Sequence, residues 1–129
     1  MPRMVLLKHS LPDGPWHYDW LLARDGDNTG AGAGPLISFR VDVDLRQRSL
    51  AAFTAQRRAD HRSEYLTYEG EISGGRGRVE RIDAGVCRID EESRSQIAGA
   101  IRWDGPMRRF EAIKSGRVWQ VRLGATDIA

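Results

Sequence analysis

Glycine and proline divide this sequence into short segments, and their frequency is the feature that most restricts its fold. Turn-forming clusters recur along the chain: LPDGP (11–15), DGDNTGAGAGP (25–35), SGGRG (73–77), AG (84–85), DGP (104–106) and SG (115–116). Turns this frequent between short β-forming runs are typical of all-β sandwiches and barrels. We therefore expect a mainly all-β fold, a compact antiparallel β-barrel of about eight strands with at most one short helix.

The strand signal is clearest in LISFRVDVD, at 36–44. Ile37, Phe39 and Val41 alternate there with polar residues, which is the period of two expected for a half-buried strand. Further β-forming runs predict strands at 3–9, 16–23, 63–72, 78–83, 86–90, 100–104, 109–114 and 117–123. Together these runs supply about eight or nine strands.

Two segments depart from this pattern. The run SLAAFTAQRRA at 49–59 has helical character, because Leu50 and Phe53 can share one face and Ser49 can cap the first turn. The Gly-rich segment 25–35 lacks the strand-to-helix context and the Lys-Ser/Thr ending of a phosphate-binding P-loop. We expect it to be a flexible hairpin connection.

Length and composition restrict the classes of protein that remain. The chain has 129 residues, the usual size of one domain with one core, so we expect a single domain over 1–129. The apolar run before Lys8 covers only Val5 to Leu7, so we predict no signal peptide, no membrane partner and a cytoplasmic location. Cys87 is the only cysteine, which excludes an intramolecular disulfide and a cysteine zinc site. Any metal must be bound by histidine and carboxylate.

The basic residues are strongly biased towards arginine. Of the 20 basic residues only Lys8 and Lys114 are lysine, which leaves 18 arginines. The planar guanidinium pairs with phosphate through two hydrogen bonds, so this bias suits a nucleic-acid or phosphate ligand. A GC-rich genome is the alternative explanation.

The stretch HSLPDGPWHYDW (9–20) holds two of the three histidines and an aspartate around a turn. His17 and Asp19 project from one face of a strand because residues i and i+2 do so. The LPDGP connection is short enough for an antiparallel hairpin, which would bring His9 back near His17. Two imidazoles and a carboxylate, with coordination positions left open, suit a catalytic Zn, Mn or Fe(II) ion. Alternatively, His17 and Asp19 are only the solvated face of a strand whose buried face is aromatic.

A second cluster lies in RRADHRSEYLTYEGEI (57–72). His61 and Tyr65 occur there beside a run of basic residues: Arg57, Arg58 and Arg62. A cationic patch with a histidine and a phenol suits phosphate binding, acid–base chemistry and the stabilisation of charge during phosphoryl transfer. The alternative is a solvated loop leading into a strand, with Tyr65 packed on its neighbours.

The order of these motifs resembles one known family. The matching segments are LLKHS…HYD (6–19), LISF (36–39), DHRSEYLTYEGEISGG (60–75) and GRVERIDAG (77–85). In this succession they are similar to the 3′-phosphoesterase domain of bacterial DNA ligase D. The resemblance implies a compact β-barrel with a divalent metal, typically manganese, that removes 3′-terminal phosphate or ribonucleotide groups from nucleic-acid ends in DNA repair. It also implies metal ligands at His9, His17 and Asp19, and phosphate contacts from His61 and Tyr65.

The chain departs from the family pattern at several positions. Leu21 occupies the place of a family arginine that follows the aspartate by two residues, so a phosphate clamp is missing there. Arg62 and Ser73 stand where the family has prolines. Phosphate-binding residues that replace the lost clamp are expected among Arg40, Arg58 and Arg62.

Three functional hypotheses follow. The first is a stand-alone, metal-dependent phosphoesterase that acts on nucleic-acid ends or a phosphate ester, with manganese as the expected metal and zinc as the alternative, alongside DNA repair proteins. The second is a non-catalytic module that binds nucleic acid or phosphate and has lost the arginine clamp. The third is a small β-barrel that binds proteins, in which Trp103 and Trp119 are either surface anchors or, as their size favours, core residues.

Overall fold

The computed structural model describes residues 2–24 and 34–124. Within these two ranges, nine antiparallel strands form one sheet: β1 Arg3–Ser10, β2 Trp16–Leu22, β3 Leu36–Val41, β4 Ala52–His61, β5 Gly70–Glu71, β6 Arg78–Glu92, β7 Gln96–Arg102, β8 Arg108–Ser115 and β9 Val118–Leu123. Among the described residues the only helical element is one 3-10 turn, Ser63–Leu66. The predicted all-β architecture with at most one short helix is confirmed.

The sheet closes on itself in a barrel-like ring. Its strand order is β1-β2-β3-β4-β9-β8-β7-β6-β5, and a further pairing of β1 with β6 brings eight of the nine strands into the ring. The length of β6 makes this closure possible, because residues 78–86 pair with β1 and residues 86–92 pair with β7. β5 lies outside the ring and pairs with the start of β6.

Aromatic side chains fill the interior of the ring. The Trp20 ring lies 5.6 Å from Phe39, 6.1 Å from Phe53 and 5.5 Å from Phe110, measured between ring centroids. Trp119 is 5% exposed and packs edge-on against Phe39. Tilted and edge-on ring contacts of this kind stabilise the fold beyond the contribution of the apolar surface that they bury. The core assignment of Trp119 is therefore confirmed.

A second, smaller apolar layer covers the outer face of β1 and β2. Met4 and Leu6 face the ring interior, whereas the alternate residues Val5 and Leu7 pack outside it. The other buried members of this outer cluster are Leu21, Ala23, Leu36, Leu66 and Val79, with Tyr65 and Ile72 packed against them. The chain after β4 therefore folds back over β1 and β2, so both faces of these strands are buried.

The helix predicted at 49–59 is wrong. Most of this segment belongs to β4, which pairs with β3 on one side and with β9 on the other. Phe53 and Ala55 point into the core while Thr54 and Gln56 are exposed, which is a strand period of two. Pairing on both edges and burial of Phe53 outweigh the helix propensity of the alanines.

Other predicted boundaries also change. The strand expected at 63–72 is instead the 3-10 turn followed by the two residues of β5. The strands expected at 78–83 and 86–90 are one strand, β6, because Gly85 continues the ladder rather than ending it. The hairpin connection predicted at 25–35 lies mostly outside the described residues.

Candidate metal centre

The hairpin of β1 and β2 brings the two N-terminal histidines together. His9 and His17 are directly opposite each other in the strand register, and their ring centroids are 4.8 Å apart. The connecting turn is held by two backbone bonds, from Leu11 N to Pro15 O and from Gly14 N to Leu11 O. The predicted hairpin is therefore present, and it aligns the two imidazoles across neighbouring strands.

His17 and Asp19 project outward beside the second apolar layer, on the same face of β2 as Leu21. They are 7% and 4% exposed, so the alternative in which they form a solvated face is wrong. The expected aromatic face is only partly buried, since Trp20 lies in the core but Trp16 is 49% exposed. Polar side chains this deeply buried need partners.

Asp19 lies between the two histidines. One carboxylate oxygen, Oδ2, is 3.2 Å from His9 Nδ1, and the other, Oδ1, is 3.1 Å from His17 Nε2. The potential ligand atoms of the three residues all lie within 4.8 Å of one another. These three side chains, predicted as metal ligands, therefore form one compact group that could hold a metal ion.

The orientation of His9 is fixed from the side away from Asp19. Its Nε2 lies 2.8 Å from the carbonyl oxygen of Arg76, which can only accept, so Nε2 carries the hydrogen and donates it. In the neutral ring Nδ1 is then an acceptor that faces the carboxylate of Asp19. Two acceptors in contact repel each other unless a proton or a cation lies between them.

The pKa values reflect this arrangement. Burial raises the pKa of the Asp19 carboxyl, but hydrogen bonds from His17 and His9, together with their charges, outweigh it and lower the pKa to about 2. The hydrogen bond to Asp19 raises the pKa of His9 above its ordinary value, against the opposing effect of burial. The site therefore has a negative centre that attracts positive charge.

The donor set fits a divalent transition metal. Two ligand atoms on one ion, each at about 2.0–2.2 Å and about 90–110° apart, are separated by about 3.0–3.5 Å. The separations of His9 Nδ1 from Asp19 Oδ2, 3.2 Å, and of His17 Nε2 from Asp19 Oδ1, 3.1 Å, fall within that range but are also the lengths of hydrogen bonds, so the fit rests on the ligand types. The hydrogen bond from His9 to a backbone carbonyl is the usual outer support of a metal-bound imidazole. In addition, His17 Nδ1 is buried without a hydrogen-bond partner among the described residues, so the site has an unsatisfied polar atom.

A cavity of about 480 Å³ opens beside this group. His9 and Asp19 line it together with His61 and Tyr65, the two residues predicted to contact phosphate. The His61 and Tyr65 rings pack edge-on with centroids 5.6 Å apart, and His61 Nδ1 donates to the carbonyl of Ala59 at 3.1 Å. Because a carbonyl can only accept, this bond selects the tautomer with the hydrogen on Nδ1, in which Nε2 is the ring nitrogen without a hydrogen. The structure thus brings the two clusters identified in the sequence to one cavity.

The three arginines predicted to bind phosphate are placed differently. Arg62 lines the cavity, although its side chain is 69% exposed. Arg40 is directly opposite Asp19 in the β2–β3 register, so it shares that face of the sheet without lining the cavity. Arg58 is an exposed residue of β4 and does not line the cavity.

Two charged residues of the cavity wall, Asp60 and Arg76, were not predicted as site residues from the sequence. Asp60 accepts ion pairs from Arg57 and Arg24, both at 2.9 Å, which anchors the end of β4 immediately before His61. Arg76 lies in the SGGRG turn, which the sequence marks only as a break between strands. The contact of Arg76 with His9 spans 67 positions of sequence, so no local pattern could have predicted it.

The position where the family has an arginine is occupied by Leu21, which carries no charge. Its side chain is fully buried in the outer apolar cluster, among residues that include Val5 and Leu7. A cation could not occupy this site without displacing apolar packing or leaving a buried charge unpaired.

Comparison with known proteins adds no assignment: no family model matches this sequence, and no curated protein matches it. Within residues 2–24 and 34–124, no helix is long and apolar enough to cross a membrane. The fold and the site define a barrel-like all-β protein with a candidate metal centre.

Proposed function

We propose that this protein is a divalent-metal-dependent phosphoesterase that acts on the 3′-terminal phosphate or ribonucleotide groups of nucleic-acid ends. One observation carries the proposal: His9 and Asp19, which form one compact group with His17, line the same cavity as His61 and Tyr65. A metal site beside a histidine, a phenol and arginines offers the Lewis acid, the proton donor and the positive charge that phosphoryl transfer uses.

Each cavity residue has a role in this chemistry. A metal held by His9, His17 and Asp19 would polarise a phosphoryl oxygen and lower the pKa of water. His61 is oriented by its bond to the Ala59 carbonyl, so its free Nε2 can exchange a proton with the attacking or leaving oxygen. Tyr65 donates its hydroxyl to a phosphate oxygen, and Arg62 contributes positive charge at the cavity mouth.

The resemblance of the sequence motifs to the DNA ligase D phosphoesterase domain supports manganese as the metal and a DNA end as the substrate. Two imidazoles with a carboxylate also accept zinc, which is the second choice. The proposal includes a role in DNA repair with repair proteins as partners, and a cytoplasmic location.

The test combines metal titration with product release. We expect the full chain to bind Mn²⁺ and to release phosphate from a 3′-phosphorylated DNA oligonucleotide. The double variant His17→Ala, Asp19→Ala should lose both properties, because it removes two of the three ligands. Asp90→Ala is the matched control, since it removes an exposed carboxylate that is paired with Arg88 outside the cavity. An unchanged Mn²⁺ titration in the double variant would refute the site.

The second candidate function is a non-catalytic module that binds nucleic acid or phosphate. The specific observation in its favour is Leu21, a fully buried apolar side chain at the position where the family that the motifs resemble carries an arginine clamp. This hypothesis predicts salt-dependent DNA binding without product release. Turnover of a 3′-phosphorylated DNA end by the unaltered protein would exclude it.

A further inference from the structure

Beside the metal group, the cavity needs a positively charged side chain to bind a phosphate group, and the positions predicted from the sequence provide only Arg62 at its wall. Leu21 is apolar and buried, and neither Arg40 nor Arg58 lines the cavity. Arg62 lines it, but its guanidinium lies 3.9 Å from the carboxylate of Glu64. A cation with a carboxylate beside it is a weak anion site.

Arg76 is exposed, like Arg62, but it combines two features that none of the three predicted arginines has together. It lines the cavity, and no carboxylate of the described residues lies within ion-pair distance of its guanidinium. Its backbone carbonyl also accepts the hydrogen bond from His9 Nε2 at 2.8 Å. One residue therefore contacts the metal-ligand group through its main chain and carries an unpaired positive charge at the same cavity.

The turn that carries Arg76 is held in place before any ligand binds. Ile72 N donates to the carbonyl of Gly77 at 2.7 Å and closes the loop. Arg76 Nε donates to the Ser73 carbonyl at 2.8 Å, and Nη2 lies 3.4 Å from Ser73 Oγ. These bonds hold the stem of the guanidinium and leave Nη1 without a hydrogen-bond partner among the described residues. Less conformational entropy is then lost on binding than with a free side chain.

We propose that Arg76 is the oxyanion-binding residue of the cavity and that it selects substrates with a terminal phosphate group. This inference rests on the proposed phosphoesterase function. A terminal phosphate presents oxygens that a guanidinium can bind, whereas a terminal hydroxyl presents no negative charge. The SGGRG turn then has two separate tasks, because its backbone orients His9 and its side chain binds the anion.

The test separates these two tasks by substitution. Arg76→Ala keeps the backbone carbonyl, so the full chain should bind Mn²⁺ with a dissociation constant within about twofold of the unaltered value. Its Mn²⁺-loaded form should bind inorganic phosphate and a 3′-phosphorylated DNA oligonucleotide about 10- to 100-fold more weakly, the usual loss for a charged hydrogen bond. Binding of the same oligonucleotide with a 3′-hydroxyl should be unchanged.

Arg78→Ala is the matched control. It removes the same charge two residues later, from a side chain that is 61% exposed and absent from the cavity wall. We expect this variant to bind Mn²⁺ and phosphate as the unaltered protein does. Equal losses in both variants would show a general charge effect and overturn the role of Arg76. The same conclusion would follow if only Arg40→Ala or Arg62→Ala weakened phosphate binding.

The failures of the two proposals are distinguishable by calorimetry on the unaltered chain. Binding of Mn²⁺ without binding of phosphate would overturn the oxyanion role and leave the metal centre intact. Absence of Mn²⁺ binding would overturn the phosphoesterase proposal, and the inference for Arg76 with it.

Discussion

Gly77→Ala is the most informative single substitution in the turn beside the metal group. Gly77 has φ of +96°, a conformation that residues with a Cβ rarely adopt. A Cβ at this position would overlap the Ser10 carbonyl oxygen and lie 3.0 Å from its carbonyl carbon and 3.1 Å from Leu11 Cα. Because these atoms belong to the backbone of the β1–β2 hairpin, the turn must move away from it.

The expected loss of folding free energy in Gly77→Ala has two parts. A non-glycine residue at positive φ costs about 1–2 kcal/mol. Displacing the turn also weakens the bond from His9 to the Arg76 carbonyl, which leaves a partly buried donor unpaired at a cost of about 1–3 kcal/mol. We therefore expect a loss of about 2–5 kcal/mol in folding free energy, and about 10- to 100-fold weaker Mn²⁺ binding because an outer support of the ligand is lost.

Gly75→Ala isolates the first part. Gly75 has φ of +69°, but a Cβ there meets nothing within 4 Å, so only the backbone conformation is penalised. Urea unfolding and Mn²⁺ calorimetry on both variants give the comparison. The reasoning is refuted if Gly77→Ala and Gly75→Ala lose equal stability and bind Mn²⁺ equally well.

Three further predictions concern pH, the core and the surface. In metal-free protein the lowered pKa of Asp19 adds stability that is present above pH 3.8 and lost as the pH falls towards 2. The raised pKa of His9 adds stability that is present below pH 6.5 and lost above it. Urea midpoints in EDTA should therefore be highest between these values, and a profile that Asp19→Asn leaves unchanged would contradict this assignment. Phe39→Ala should cost about 3–5 kcal/mol by urea unfolding, because Phe39 is fully buried between two tryptophans; a loss below 1 kcal/mol would mean that the core is not packed as described. Arg24→Ala should lower the free energy of unfolding by about 1 kcal/mol in low salt and by less in 1 M salt, because it removes ion pairs with Asp60 and Glu92. A loss that does not depend on salt would disprove the electrostatic origin.

The fold class was predictable because its signals are local. The alternation of Ile37, Phe39 and Val41 follows directly from the pleat of a strand that faces the core, and all three are buried. The helix predicted at 49–59 was wrong because the alanines of this segment favour a helix, whereas pairing with β3 and β9 makes most of it a strand. Gly85 also misled the prediction, because this glycine marks a close approach to Trp103 and Met4 rather than a turn.

The metal group was partly predictable for a similar reason. His9, His17 and Asp19 lie on one hairpin, so strand periodicity and a short connection were enough to bring them together. Their burial was not predictable, since it depends on the chain after β4 folding over the outer face of β1 and β2. Arg76 was missed because the turn that holds it reaches His9 only when β6 pairs with β1.

The pairing of β1 with β6 also has a consequence for how the chain folds. The hairpin that carries the three potential ligands closes over a few residues, and such local contacts form on the microsecond scale. The bond that orients His9 spans 67 positions, and contacts of this range form late because the intervening chain must first lose its entropy. We expect the ligands to meet before the turn that fixes their geometry arrives, so the last step of ring closure is also the step that completes the site.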